Sequence, residues 1–159
     1  MLKRIIYLII LSLIFSCDRN NNSPNIVFIL TDDLGYGDLS SYGSETIETT
    51  NIDKLARDGV KLTSYYAAQP VCSASRAAIL TGAYANRIGI YNAFGPTSDS
   101  GINSNEYTLA EMLKDNGYET GIFGKWHLGS KKEFFPTNHG FDEFFVQGLK
   151  TPIFLLFFH

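Results

Sequence analysis

The chain has 159 residues, 45% of them hydrophobic and 18% charged, an ordinary globular composition with enough length for one core of usual size. A net charge of −3 with no basic stripe excludes an electrostatically driven nucleic-acid partner. The two cysteines, Cys17 and Cys72, stand in settings that give them separate chemical fates, so no disulfide is expected.

The chain opens with Met1-Leu2-Lys3-Arg4, a short basic start. Ile5 to Ser16 follows and is apolar except at Tyr7, Ser12 and Ser16. As a helix that run extends roughly 18 Å, well short of a hydrocarbon core of about 30 Å. It reads as an export signal over residues 1–16 rather than a span. Ile14-Phe15-Ser16-Cys17 resembles a bacterial lipoprotein box, which implies cleavage before Cys17 and a lipid on its sulfur. A plain signal peptide with an incidental cysteine is the other reading. Residues 17–23 then form a polar tether, and the expected location is the bacterial cell envelope, periplasmic or at the cell surface.

Ile26-Val27-Phe28-Ile29-Leu30 is a continuous apolar run, rich in β-branched side chains. It predicts a strand buried on both faces, as in a parallel α/β sheet under helices. The run ends at Thr31-Asp32-Asp33-Leu34-Gly35, and ligands gather at the carboxyl ends of such strands. Adjacent carboxylates repel unless a cation joins them, and hard oxygen donors favour Ca²⁺ or Mg²⁺. A solvated acidic turn is the bland alternative.

Asn51 to Gly59 carries a short helix signal, with Asn51 as cap, Ile52, Leu55 and Ala56 on one apolar face, and Gly59 as stop. Val60 to Tyr66 reads as a strand leading to Cys72. A helix is predicted from Cys72 to about Leu80, closed by Gly82. A cysteine among the unpaired N–H groups of a helix start, with Arg76 one turn on, is placed to face an anion. A buried, inert free cysteine fits the same residues. Ala93 to Glu106 reads as a loop. Thr108-Leu109-Ala110-Glu111 is a capping-box pattern opening a helix that Gly117 closes. Tyr118 to Phe123 is the next strand. If the chain stays extended beyond it, Lys125 and His127 share one side, a second anion-binding and proton-handling pair.

Taken together, these stretches resemble the sulfatase family. Cys72-Ser73-Ala74-Ser75-Arg76, continuing through Ala77-Ala78-Ile79-Leu80-Thr81-Gly82, is similar to the family's first signature, with Ala74 where proline is more usual. Gly117 to His127 looks like its second signature, and the strand ending in Asp32-Asp33 resembles its metal-binding start. The resemblance implies an alkaline-phosphatase-like α/β sandwich with a largely parallel central sheet flanked by helices. It implies hydrolysis of sulfate esters, of sulfated small molecules or polysaccharides. In that family the cysteine matching Cys72 is converted to formylglycine by a sulfatase-maturating enzyme. The divalent cation, Ca²⁺ or Mg²⁺, is held at the positions of Asp32 and Asp33 against residue 72. Carried over, Lys125 binds the sulfate, Arg76 and Lys125 neutralise charge around residue 72 and the sulfate, and His127 contacts residue 72. His139 is expected to be structural.

The resemblance spans about residues 24–148, within a catalytic-domain part expected over 24–150, while the family runs to several hundred. The chain is therefore expected to be the N-terminal part of such a protein, with an apolar tail over 151–159, a sheet that shows a raw edge, and no activity in isolation. A phosphoesterase or phosphonate hydrolase of the same superfamily, and an inactive ion-binding lipoprotein, remain open readings of these residues.

Overall fold

The computed structural model describes residues 23–146 and the backbone of 153–158. The expected leader, Cys17 and most of the tether lie outside the described residues.

The apolar run forms strand β1, Ile26–Thr31. It joins a four-stranded sheet with β2 (Thr120–Gly124), β3 (Glu143–Val146) and β4 (Ile153–Phe158), in the order β1-β4-β2-β3. β2 and β3 are parallel, and β4 runs antiparallel to both β1 and β2. Three strands thus share one direction, as expected of a largely parallel sheet, and only the apolar tail runs against them. The tail's backbone is paired on both sides. Among the described residues β1 and β3 are the edge strands.

β1 is not buried on both faces. Ile26, Phe28 and Leu30 are half-buried against the core, while Val27 and Ile29 are 54% and 56% exposed. The physical reason is that, among the described residues, core side chains cover one face of the sheet. Helix α2 (Cys72–Thr81) brings Ala74, Ala77 and Leu80 to that core. Helix α3 (Leu109–Asp115) brings Ala110 and Leu113, and Ile122, Trp126, Leu128 and Phe141 complete it. The alanines of α2 let its backbone come close to its neighbours without spending side-chain entropy.

Local signals fixed the helix ends well. Gly82 ends α2 in the left-handed region, φ 66°, where glycine carries no Cβ penalty. Thr108 accepts the Glu111 N–H at 3.2 Å, and the Glu111 carboxylate accepts the Thr108 N–H at 2.7 Å, so both halves of the capping box form.

Two expectations fail around the preceding helix. Helix α1 spans Thr50–Asp58 with Thr49 as its N-cap, so Asn51 lies inside the first turn rather than capping it. Asp53 organises this end instead, accepting hydrogen bonds from Ser40 Oγ, the Ser41 N–H and Thr49 Oγ1. Its presumed apolar face is bare, with Ile52 43% and Leu55 70% exposed. Val60 to Tyr66 forms no strand. Val60 is 85% and Tyr66 78% exposed, and a β-rich segment without a neighbouring edge to pair with gains nothing by extending.

Candidate active site

Two structural elements meet at one cleft and a third reaches it. β1 delivers Asp32 and Asp33, and α2 begins at Cys72. Lys125, on the chain leaving β2, joins them through Asp32, while His127 is not among the residues that line the cleft. Asp32, Asp33, Cys72, Ser75 and Arg76 line one open cleft of about 860 Å³, together with Tyr36, Tyr65 and Tyr66. Cys72 is a free, half-buried thiol at the first position of its helix.

Asp32 is the hub. Its Oδ1 accepts from Arg76 Nη2 at 3.0 Å, and its Oδ2 accepts from Lys125 Nζ at 2.6 Å. Both cations are buried, Arg76 to 2% and Lys125 to 5% exposure. Arg76 Nη1 also donates to the Lys125 carbonyl at 2.7 Å, so the two basic residues are tied to each other as well. Burial by itself pushes the Asp32 pKa up, but the hydrogen bonds and charges of Lys125 and Arg76 outweigh it and hold the carboxyl below the usual range. The cluster therefore carries one negative and two positive charges before Asp33 is counted, a surplus suited to an anion.

His127 does not lie where an extended chain would put it. It has φ 59°, and Asp33 has φ 57°; among the described residues these are the two non-glycine positions with positive φ. Each such residue costs of order 1 kcal/mol, and such strain collects where side-chain aim matters more than backbone ease. The alternation predicted for Lys125 and His127 is broken at this point. Lys125 turns to Asp32, while His127 Nε2 donates to the Phe94 carbonyl at 2.8 Å. Burial lowers the His127 pKa; the Phe94 hydrogen bond opposes this, the charges of Lys125 and Arg76 add to it, and Asp32 partly offsets them. Trp126 is buried on the other side, its Nε1–H donating to the Phe134 carbonyl at 2.8 Å.

The donors suit a hard divalent cation in kind. Asp32 and Asp33 supply carboxylate oxygens to the same cleft, and each Asp32 oxygen keeps a lone pair beyond the one its cation uses. They do not suffice in number. Among the described residues no three His, Cys, Asp or Glu side chains gather as a metal site, and a cation of this class takes six or more oxygens.

The remaining histidine of the motif region, His139, is fully buried beside Trp126 (ring centroids 6.0 Å apart) and away from the cleft. The structural role expected of it fits this place. What the motifs did not announce is Ser73 and the Phe94 backbone. Ser73 is fully buried and accepts the Phe94 N–H at 3.0 Å. A serine within a helix start carries no sequence signal for a partner 21 residues away.

Comparison with known proteins gives a consistent picture. A family model described as Sulfatase matches residues 24–152. The chain is 48% identical over 130 residues to N-acetylgalactosamine-6-sulfatase of Rattus norvegicus, covering 77% of this chain and 25% of that protein. It is 48% identical over 122 residues to arylsulfatase G of Mus musculus, covering 77% of this chain and 23% of that one. Among solved structures it resembles Ps i-CgsB, with TM-score 0.69 and 40% identity over 72% of this chain and 26% of that chain; a complex of Ps i-CgsB with k-i-k-neocarrahexaose matches equally. The chain spans about a quarter of the length of the curated relatives it matches.

Proposed function

Because the chain belongs to the sulfatase family, we propose that it supplies the nucleophile-bearing half of a site that hydrolyses sulfate esters of carbohydrates. The observation that carries this reading is the hub itself. One carboxylate, Asp32, lies in the cleft where Cys72 opens its helix and ties Lys125 to Arg76 there. Support for a sugar sulfate comes from the relatives' names and from the neocarrahexaose bound to one structural neighbour.

In this reading residue 72 acts as formylglycine, made from Cys72 by a maturating enzyme. A divalent cation, Ca²⁺ or Mg²⁺, would be held by Asp32 and Asp33 next to residue 72, with its remaining oxygens from beyond the described residues. When bound, it lowers the charge on sulfate oxygens and makes a nearby hydroxyl more acidic. Arg76 and Lys125 then have two tasks. In the resting site Asp32 balances one of their two charges, and on substrate binding the remaining charge faces the sulfate, where it counters the negative charge that grows as the ester bond breaks. The first-turn N–H groups of α2 add a fixed dipole of the same sign. His127, whose pKa burial lowers, can take a proton from the residue-72 hydroxyl and return one. The open cleft lined by Tyr36, Tyr65 and Tyr66 offers aromatic faces to a sugar ring.

Two measurements test this. The peptide containing residue 72, from protein co-expressed with a maturating enzyme, should be lighter than its cysteine form, as sulfur and hydrogen leave and oxygen enters. The full-length protein should then release sulfate from sulfated sugars faster than phosphate from matched phosphate esters. Cys72→Ala should abolish both. An unmodified cysteine, or preference for phosphate, would sink the reading. Export and a lipid on Cys17 belong to the same proposal. Metabolic lipid label that is lost in Cys17→Ala supports them, and label that persists does not.

A further inference from the structure

Ser73 follows the nucleophile position directly, is fully buried, and sits in the first turn of α2. A serine at a helix start commonly satisfies a backbone N–H of its own helix. This one instead accepts the N–H of Phe94 at 3.0 Å, from the far loop. The carbonyl of the same residue, Phe94, accepts from His127 Nε2 at 2.8 Å. The Phe94 peptide units thus link α2 to the imidazole, and the Phe94 side chain is packed against the core.

A carbonyl oxygen has no proton to give, so Nε2 must carry one. In a neutral ring Nδ1 is then the bare lone pair. Nδ1 is buried and has no hydrogen-bond partner, which is a costly state for a polar atom unless something is meant to arrive there. The rest of the loop is fastened to the strand-end segment beyond His127. The Ile102 N–H donates to the Leu128 carbonyl at 2.9 Å, and Lys131 pairs with Asp99 at 3.0 Å. Gly101 and Gly129 both lie against Phe134, where a Cβ would come within 2.3 Å of the ring at Gly101 and 2.6 Å of it at Gly129. The far end of the loop is thereby fixed independently, and Ser73 sets its near end.

We infer that Ser73 is a positioning residue: by holding the Phe94 N–H it aims the Phe94 carbonyl at His127 Nε2 and fixes the imidazole in the Nε2–H tautomer, with Nδ1 as the proton acceptor. The use of Nδ1 in proton transfer rests on the sulfate-ester reading above; the tautomer does not. The second position of the motif, between Cys72 and Ala74, acquires a task in this way. It couples the helix that carries the nucleophile to the histidine that serves it, so the two move as one unit.

The test is nitrogen NMR on the 159-residue chain labelled with ¹⁵N in its three histidines, the His127 signals being assigned by their loss in His127→Gln. The wild-type spectrum should show Nε2 protonated and Nδ1 bare. In Ser73→Ala the minor tautomer should become visible, and amide exchange at Phe94 should quicken about tenfold, the effect of losing one ordinary hydrogen bond. Ser73→Thr, which keeps the hydroxyl, should restore both. If Ser73→Ala does not fold, Ser73→Cys serves, since sulfur is a weaker acceptor of similar size, and an intermediate change is expected. A wild-type Nδ1–H tautomer overturns the inference. So does a foldable variant that leaves the tautomer and the Phe94 exchange rate unchanged. Both readouts are taken without substrate, so their failure leaves the sulfate-ester reading standing, and an unmodified Cys72 would sink that reading without touching this one.

Discussion

Replacing Asp32 by Asn tests the hub most directly. The substitution keeps size and shape but removes the anion between two cations whose side chains are 2% and 6% exposed. The amide also turns an NH₂ group towards one of them. Breaking a buried ion pair by removing one partner costs about 3–5 kcal/mol. Asp32 itself is 20% exposed, so water softens the loss, and the lower bound of about 3 kcal/mol is the expected value. With a urea dependence of about 1.5 kcal/mol per molar, typical of a small domain, the unfolding midpoint should fall by about 2 M. The assay is urea denaturation followed by the fluorescence of Trp126, with divalent cations removed by chelation. Asp58→Asn is the internal control. Its partner Lys54 and Asp58 itself have side chains 68% and 58% exposed, and exposed pairs of this kind contribute about 0–1 kcal/mol. The double variant Asp32→Asn/Lys125→Met removes one stranded cation, and should recover about 1 kcal/mol or more over Asp32→Asn alone. The reasoning is refuted if Asp32→Asn shifts the midpoint no further than Asp58→Asn, or if the double variant is no more stable than the single one.

Three other outcomes are expected. Burial pushes the His139 pKa below its ordinary value, and Glu111 offsets this only in part, so the unfolded chain takes the proton first. Stability linked to His139 is full above the unfolded value near 6.5 and is lost as pH falls from there towards the folded value, by at most about 1.4 kcal/mol per pH unit. The fall in melting temperature between pH 7 and 5 should therefore flatten in His139→Leu, and an unchanged slope counts against the assignment. Thr108→Ala removes an N-cap whose hydroxyl also donates to the His139 carbonyl at 2.8 Å, and should cost about 1–2 kcal/mol by denaturant titration, with Thr108→Ser close to wild type. Gly101→Ala would set a Cβ 2.3 Å from the Phe134 ring and 2.7 Å from a backbone oxygen, whereas Gly95 has nothing within 4 Å. Gly101→Ala should lose about 1–3 kcal/mol while Gly95→Ala stays within about 0.5, and equal effects would mean the loop is not clasped.

Much of the site was legible in the sequence because its signals are local. Cys72 and Arg76 lie one helical turn apart, Asp32 and Asp33 are neighbours, and the Thr108–Glu111 box and Gly82 stop are written within a few residues each. Chemistry-bearing residue types at fixed short spacings survive any uncertainty about the fold. The misreadings came where a decision belongs to the tertiary structure. The β-branched residues of Val60 to Tyr66 favour extension, yet a strand exists only beside another edge. The alternation assumed for Lys125 and His127 needed an extended backbone, and a single left-handed residue cancelled it. The apolar run of β1 correctly announced a strand, but how many of its faces are covered depends on what packs there. Ser73, Phe94 and His127 are brought together from three separate stretches, and no pairwise spacing announces them.

The pairing of β1 with β4 has a consequence for how the chain reaches this state. Ile26 faces Phe158 and Thr31 faces Ile153, so, among the described strands, the first in sequence waits for one more than 120 residues on. β2 reaches its place beside β1 only through β4, with which it pairs from Thr120–Phe158 to Gly124–Phe154. Closing so long a loop is entropically slow, and topologies dominated by such contacts fold late. Until β4 arrives, β1 offers two open edges and an apolar face, the form most prone to pair with another chain. Asp32 and Lys125 sit just beyond the ends of β1 and β2, on opposite sides of that intervening strand, roughly two strand spacings or 9–10 Å apart at the backbone. Their ion pair therefore bridges across β4, and its geometry depends on that strand being seated between β1 and β2.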